Sequence, residues 1–260
     1  MASDQGRKRR EFSEGEQIIG RRTPERLIGG FSRRDSTFLF YSLIHSVLEP
    51  HFRVLDFGAG RGAQGENEWP AKRKLLTLKG KVQWVAGVDV DPVVLSNPLL
   101  DEAHVFDPDK GLPFADESFD LIYSDWVIEH VDDVERFSSE VHRVLKPGGW
   151  FFGRTPNKLG LIALSATLVP NSLHKRVLKT LQPERESKDV FPTRYRLNTP
   201  SAVRRWFRPE RWENYTTTID TEFMYLARNA ILFEIVERVG RILPSAFRPV
   251  LIVSLRKHEF

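Results

Sequence analysis

Asp56 and three glycines, Gly58, Gly60 and Gly62, occupy alternate positions in Val-Leu-Asp-Phe-Gly-Ala-Gly-Arg-Gly. Glycine at such a turn lets the backbone come close to a ligand that a Cβ would hold off. Gly58-Ala-Gly60-Arg-Gly62-Ala63 fits the dinucleotide fingerprint, but two features oppose that reading. A carboxylate two residues before the first glycine would repel a pyrophosphate and favour an ammonium group instead. The acidic residue that ends the second apolar strand pattern, Asp89 in Val-Ala-Gly-Val-Asp-Val-Asp-Pro, lies 31 residues after Gly58, where a dinucleotide site expects about 20. Further chemistry-bearing groups follow in order: Asp107, Ser124, Trp126, Glu129 and His130, then Asn157. His130 has a side chain suited to taking a proton near neutral pH. No His, Asp and Glu cluster has metal-ligand spacing, so no metal is expected.

These groups sit where strands should end. Alternating strand and helix patterns predict strands over Arg53–Phe57, Val82–Val88, Ala103–Phe106, Phe119–Ser124 and Trp150–Thr155, hence a parallel sheet. A helix is expected over residues 36–50, and another over Asp132–Leu145. After Asn157 the pattern changes. An apolar run, Leu159–Val169, precedes a basic amphipathic segment, Asn171–Leu181. A polar connector then contains Arg194, Tyr195 and Arg196. Thr199-Pro200 reads as a helix cap with proline in the first turn. Residues Trp212–Ile219 suit a strand, Phe223–Leu243 a helix and Val250–Leu255 a last strand. The loop Gln64–Pro70 reads either as a lid or as a surface insertion.

Taken together, D-x-G-x-G-x-G, Gly-Val-Asp89, Leu-Pro-Phe-Ala-Asp-Glu-Ser-Phe-Asp-Leu-Ile, Glu-His-Val and Leu-Lys-Pro-Gly-Gly resemble the class I S-adenosylmethionine (SAM) methyltransferases. The closest likeness is to the type 11 group that includes ubiquinone- and menaquinone-biosynthesis enzymes, over residues 53–157. The resemblance implies an α/β, Rossmann-like seven-stranded sheet of order 3-2-1-4-5-7-6, its last strand antiparallel and helices on both faces. It implies SAM as cofactor. Asp56 would accept from the methionine ammonium, with Gly58, Ala59 and Gly60 against the cofactor. Asp89 would take both ribose hydroxyls, Val90 the adenine face and Asp107 the adenine amino group. Ser124 and Trp126 would border the methionine moiety, and Glu129 and His130 would face the methyl group. Asn157, Arg194, Tyr195 and Arg196 are the candidate acceptor residues; paired arginines suit carboxylate or phosphate.

Composition narrows the function. The chain of 260 residues has no cysteine, which excludes disulfides and cysteine-dependent methylation of pyrimidine C5. No apolar run reaches the ~18 residues of a membrane span, and a cytoplasmic enzyme is the default expectation. Charge is uneven: residues 1–35 hold nine Lys/Arg against six Asp/Glu, residues 36–169 hold 13 against 19, and residues 170–260 hold 17 against 10. The acidic middle suits a sulfonium cofactor, and the basic end an anionic acceptor. Residues 1–35 read as a mobile basic arm and residues 36–260 as the catalytic domain. Within it, 36–157 bind the cofactor, 158–211 form a substrate-side insertion and 212–260 close the sheet. The leading expectation is methyl transfer to a small molecule, at oxygen, with nitrogen and carbon as the alternative acceptor atoms. A lipid or lipid-linked saccharide acceptor, with peripheral membrane contact, is one alternative. A nucleic-acid acceptor is disfavoured, since Ser124-Asp125-Trp126 stands where an Asn-Pro-Pro-Tyr-like motif would. A non-catalytic SAM-binding module is the reading of another class.

Overall fold

The computed structural model describes residue 20 and residues 23–160, 192–221, 234–235, 238–240 and 242–259. The expected features at Leu159–Val169 (beyond Gly160), at Asn171–Leu181 and through most of Phe223–Leu243 fall outside them.

Short apolar runs become strands because they bury both faces of a parallel sheet. β1 (Arg53–Phe57), β2 (Trp84–Asp89), β3 (Glu102–Val105), β4 (Phe119–Asp125) and β5 (Leu145–Pro156) run parallel. β6 (Trp212–Asn214), β7 (Thr217–Ile219) and β8 (Val250–Lys257) follow. The order is β3-β2-β1-β4-β5-β8-β6, with β7 also on β8. β8 is antiparallel to β5, and β6 and β7 are antiparallel to β8. β6 and β7 hold one continuous register along β8, from Trp212↔Lys257 to Ile219↔Val250. They are one strand over residues 212–219 with a gap in its ladder. The sheet is therefore the expected 3-2-1-4-5-7-6 arrangement. β5 starts earlier than Trp150 because Leu145 already pairs with Phe119, ahead of a register shift at the Pro147-Gly148-Gly149 turn.

Five α-helices that accompany the sheet are described over their full length: α1 (Arg26–Gly29), α2 (Ser36–Val47), α3 (Pro70–Leu76), α4 (Val134–Val144) and α5 (Pro200–Trp206). Asp35, Asp133 and Thr199 cap α2, α4 and α5 through their side chains, satisfying backbone donors that have no partner inside the helix. α2 buries Phe40, Tyr41 and Ile44 in a core on one face of the sheet. α4 and α5 bury Phe137, Val141, Val203 and Phe207 in a core on the other. Each fully buried side chain of this size contributes roughly 1.5–3 kcal/mol.

Residues 23–35 differ from the expected mobile arm. Arg34 Nη2 lies 2.5 Å from Asp220 Oδ2, and Lys72 Nζ 3.3 Å from Asp35 Oδ2. The loop before α3 leans on the same segment, with the Trp69 ring against Gly30. These ion pairs join residues distant in sequence, which is why local composition reads as a tail.

Candidate active site

Every parallel strand delivers its C-terminal end to the same edge. After β1, Gly58, Gly60 and Gly62 have φ of 83°, 50° and 74°. Gly58 and Ala59 N–H both donate to the Val88 carbonyl, at 2.8 and 3.1 Å. A Cβ on Gly58 would collide with the Val127 side chain, whereas the Cβ position of Gly60 is open. Asn97, buried, donates from Nδ2 to the Ala59 and Gly60 carbonyls at 3.0 and 3.2 Å. Asp89 closes the loop from β2: Oδ2 accepts from Gly60 N–H and Oδ1 from Asp91 N–H, both at 2.9 Å. Its carboxylate is thus fixed by two backbone donors, and each oxygen keeps a further lone pair. Asp91 caps the following turn through Val93 N–H.

On the α2 face, register brings four polar side chains together. Asp56 pairs with Tyr123 across β1 and β4, and Asp125 with Arg154 across β4 and β5. Tyr123 Oη donates to Asp56 Oδ2 at 2.7 Å. Burial pushes the Asp56 carboxyl up from 3.8 to about 7; the Tyr123 bond opposes this, and the negative charges of Asp125 and Asp89 reinforce it. Arg154 makes a bidentate pair with Asp125, at 2.6 and 2.7 Å, and donates to Thr37 Oγ1 at 2.6 Å in the first turn of α2. The hydrogen-bond partner of Asp56 is a phenol rather than a cation.

On the α4 and α5 face, the turn after β4 carries Glu129 and His130. Burial raises the Glu129 carboxyl above its ordinary range, and Oε2 accepts from Thr155 Oγ1 at 2.8 Å. The segment 192–199 is strapped over this turn. The Pro192 carbonyl meets His130 Nδ1 at 3.0 Å. Arg194 and Tyr195 N–H donate to the Glu129 carbonyl at 2.7 and 3.1 Å. Asn198 Nδ2 donates to Thr155 Oγ1 and to the Pro156 carbonyl, at 2.6 and 2.9 Å. With a carbonyl at Nδ1, the neutral ring carries its proton there and its lone pair on Nε2.

The expected residues do not all arrive at one place. Asp56, Gly58, Ala59, Gly60 and Asp89 form one cluster. Val90 is exposed beside it, and Asp107 is an exposed turn former that accepts from Asp109 N–H. Ser124 Oγ is buried without a hydrogen-bond partner. Trp126 is 40 % exposed. Asn157 is corrected from acceptor residue to brace. It is fully buried, Nδ2 donates to the Ala246 and Arg248 carbonyls, and Oδ1 accepts from Leu159 N–H. Arg194 and Arg196 lie 3.5 and 2.6 Å from Asp132 with half-exposed side chains, so one carboxylate faces two guanidiniums. Sequence reasoning missed Asn97, Tyr123, Arg154, Thr155 and Asn198. Their signal was weak, since a polar residue in an apolar strand or loop does not name its partner.

Residues 55–153 match the model of a family described as methyltransferase domain. A ubiquinone biosynthesis O-methyltransferase of Brucella melitensis biotype 2 is 28 % identical over 183 residues, 67 % of this chain and 72 % of that protein. A probable S-adenosylmethionine-dependent methyltransferase of Mycolicibacterium smegmatis is 29 % identical over 145 residues, 53 % of this chain and 52 % of that one. The solved structure of a geranyl diphosphate methyltransferase in complex with SAM shares the fold, with a TM-score of 0.53 and 13 % identity over 94 % of this chain and 90 % of that one. The acid-flanked glycine loop on this sheet lies inside the matched methyltransferase domain, and the two together give one conclusion: residues 55–153 carry the methyltransferase domain of a SAM-dependent enzyme, with S-adenosylmethionine as its cofactor.

Proposed function

We propose that this enzyme methylates a hydroxyl oxygen of a small, anionic acceptor. The residues fit the cofactor. Asp56 is a buried carboxyl whose bonding partner is neutral, which suits an ammonium or sulfonium. Asp89 is held by two N–H groups for a diol, and the open Cβ position at Gly60 leaves room for close approach. Bound there, SAM supplies an electrophilic methyl group with a good leaving group. The chain's own part is to orient the acceptor and take its proton.

The observation that carries the reading is the His130–Pro192 contact. It sets the tautomer in which Nε2 accepts a proton from a hydroxyl as the oxygen becomes nucleophilic. The buried Glu129 carboxyl and Thr155 fix the turn that presents this ring. Arg194 and Arg196 outnumber Asp132 two to one and leave net positive charge beside it, which favours an anionic acceptor. The Brucella relative's printed name, an O-methyltransferase, agrees with an oxygen acceptor.

The test is transfer from methyl-labelled SAM across phenols, aliphatic alcohols, amines, lipids and RNA, with the product bond identified by mass spectrometry. Label on phenolic or alcoholic oxygen supports the proposal. Label confined to nitrogen, carbon or RNA refutes it.

A further inference from the structure

Trp126 is the one non-glycine residue at the strand edge of this site, among those described, that combines three features. Its backbone is left-handed (φ 59°), its ring is 40 % exposed, and a buried cation lies behind it. A bulky side chain in that backbone region is costly and persists only where its surroundings impose it. The surroundings do so here. Trp126 N–H donates to the Arg154 carbonyl at 2.9 Å. The Arg154 guanidinium, only 3 % exposed, lies 5.1 Å from the Trp126 ring centre and 5.3 Å from that of Phe40. Its nitrogens are committed to Asp125, Thr37 and Ser36, so it cannot swing away. A solvated tryptophan would need none of this anchoring, and a core tryptophan would not be exposed.

The position is equally specific. Trp126 directly follows Asp125 at the end of β4 and lies two residues from Ile128, where the turn bearing Glu129 and His130 begins. Its neighbour Val127 packs on Gly58 of the cofactor loop.

We infer that the Trp126 indole is a stacking platform for a flat aromatic acceptor, and that Arg154 is the positioning residue that holds it. This deepens the proposed function by naming the acceptor class as a phenol or related hydroxyarene, and it rests on that reading. Stacked aromatic pairs prefer an offset face, and a rigid, pre-oriented platform binds without the entropy loss of ordering a mobile ring.

The experiment measures binding of 3,4-dihydroxybenzoate, catechol and 1-naphthol, with quinate and cyclohexane-1,2-diol as non-planar counterparts. The protein is loaded with S-adenosylhomocysteine, and binding is followed by tryptophan fluorescence and by calorimetry. The flat probes should bind more tightly than the non-planar ones. Trp126→Leu should weaken the flat probes alone, by about 2- to 12-fold, and abolish the part of the quenching due to that ring. Trp126→Phe should restore most of the affinity. Arg154→Lys should weaken the flat probes likewise with the indole present, and circular dichroism must show each variant folded. No preference for flat probes, including no binding of any, overturns the platform; so does an equal loss for flat and non-planar probes in Trp126→Leu. Methylation of quinate oxygen at a rate untouched by Trp126→Leu would overturn the platform yet leave oxygen transfer standing. Transfer to nitrogen of a flat amine, lost in Trp126→Leu, would do the reverse.

Discussion

Replacing Asp56 by Asn should make the protein without cofactor more stable at neutral pH and should weaken SAM binding. Burial raises the Asp56 carboxyl from 3.8 to about 7, so the folded state holds its proton more firmly than the unfolded chain. Stability from such a group is fully present below pH ~3.8 and is lost progressively as pH rises to about 7. That displacement corresponds to roughly 4 kcal/mol between acid and neutral pH, an upper bound because water entry and relaxation reduce it. Asp56→Asn removes this dependence, since its amide does not ionise. Binding a cationic cofactor reverses the balance: the carboxyl must ionise, releasing up to one proton, and affinity should rise nearly tenfold per pH unit below 7. Thermal unfolding of wild type and Asp56→Asn from pH 4.5 to 8 tests the first part. Titration calorimetry in buffers of different ionisation enthalpy tests the second. A flat affinity from pH 5.5 to 8, without proton release, would refute the reasoning and move the ammonium contact elsewhere.

Four further outcomes follow from the same geometry. Asp89→Ala should weaken SAM by roughly 1.5–3 kcal/mol, the range for bonds to a charged group, and an unchanged calorimetric affinity would transfer the ribose contact to Asp91. Gly58→Ala should cost at least 1–2 kcal/mol for the left-handed backbone and more for the clash with Val127; in denaturant unfolding, adding Val127→Ala should recover the clash and leave the backbone cost. His130→Ala should lower turnover by about 10²–10⁴-fold with SAM affinity intact, and a loss of only a few-fold would make the ring structural. Arg194→Gln with Arg196→Gln should raise the KM of a carboxylate-bearing phenol by about tenfold relative to its neutral counterpart, since two positive charges are lost, each accounting for about threefold at ~6 Å in water. Asp132→Asn should lower it, and a ratio unmoved by both would remove the charge argument.

What the sequence disclosed depended on how local the signal was. The bounds of β1 are those expected, because five consecutive residues carry the pattern. The glycine loop was legible for the same reason, its spacing being set by one turn. The Asp56–Tyr123 bond spans 67 residues and the Asn198–Thr155 bond 43, and nothing near Tyr123 or Asn198 in sequence names those partners. Asn157 was misread for a related reason. Its place after β5 suggested a site, but the loop at residues 246–248 returns to take both of its amide protons. Residues 23–35 were misread because the partner of Arg34 is Asp220, which local composition does not register.

The turn from Trp126 to His130 is where the two sides of the sheet meet. Trp126 stands over Arg154 on the α2 face, and Val127 supports Gly58. Ile128 enters the opposite core, Glu129 bonds Thr155, and His130 is held by Pro192. Five consecutive side chains therefore fix the cofactor loop, the first turn of α2 and the 192–199 strap to a single strand end. Such a junction couples one wall of the site to the other, because each anchor is a packed or hydrogen-bonded contact. The cofactor loop and the 192–199 strap are thereby spaced by the backbone of one turn, which suits the condition methyl transfer imposes: the donor carbon and the acceptor atom must meet in line, and positioning can supply much of the rate.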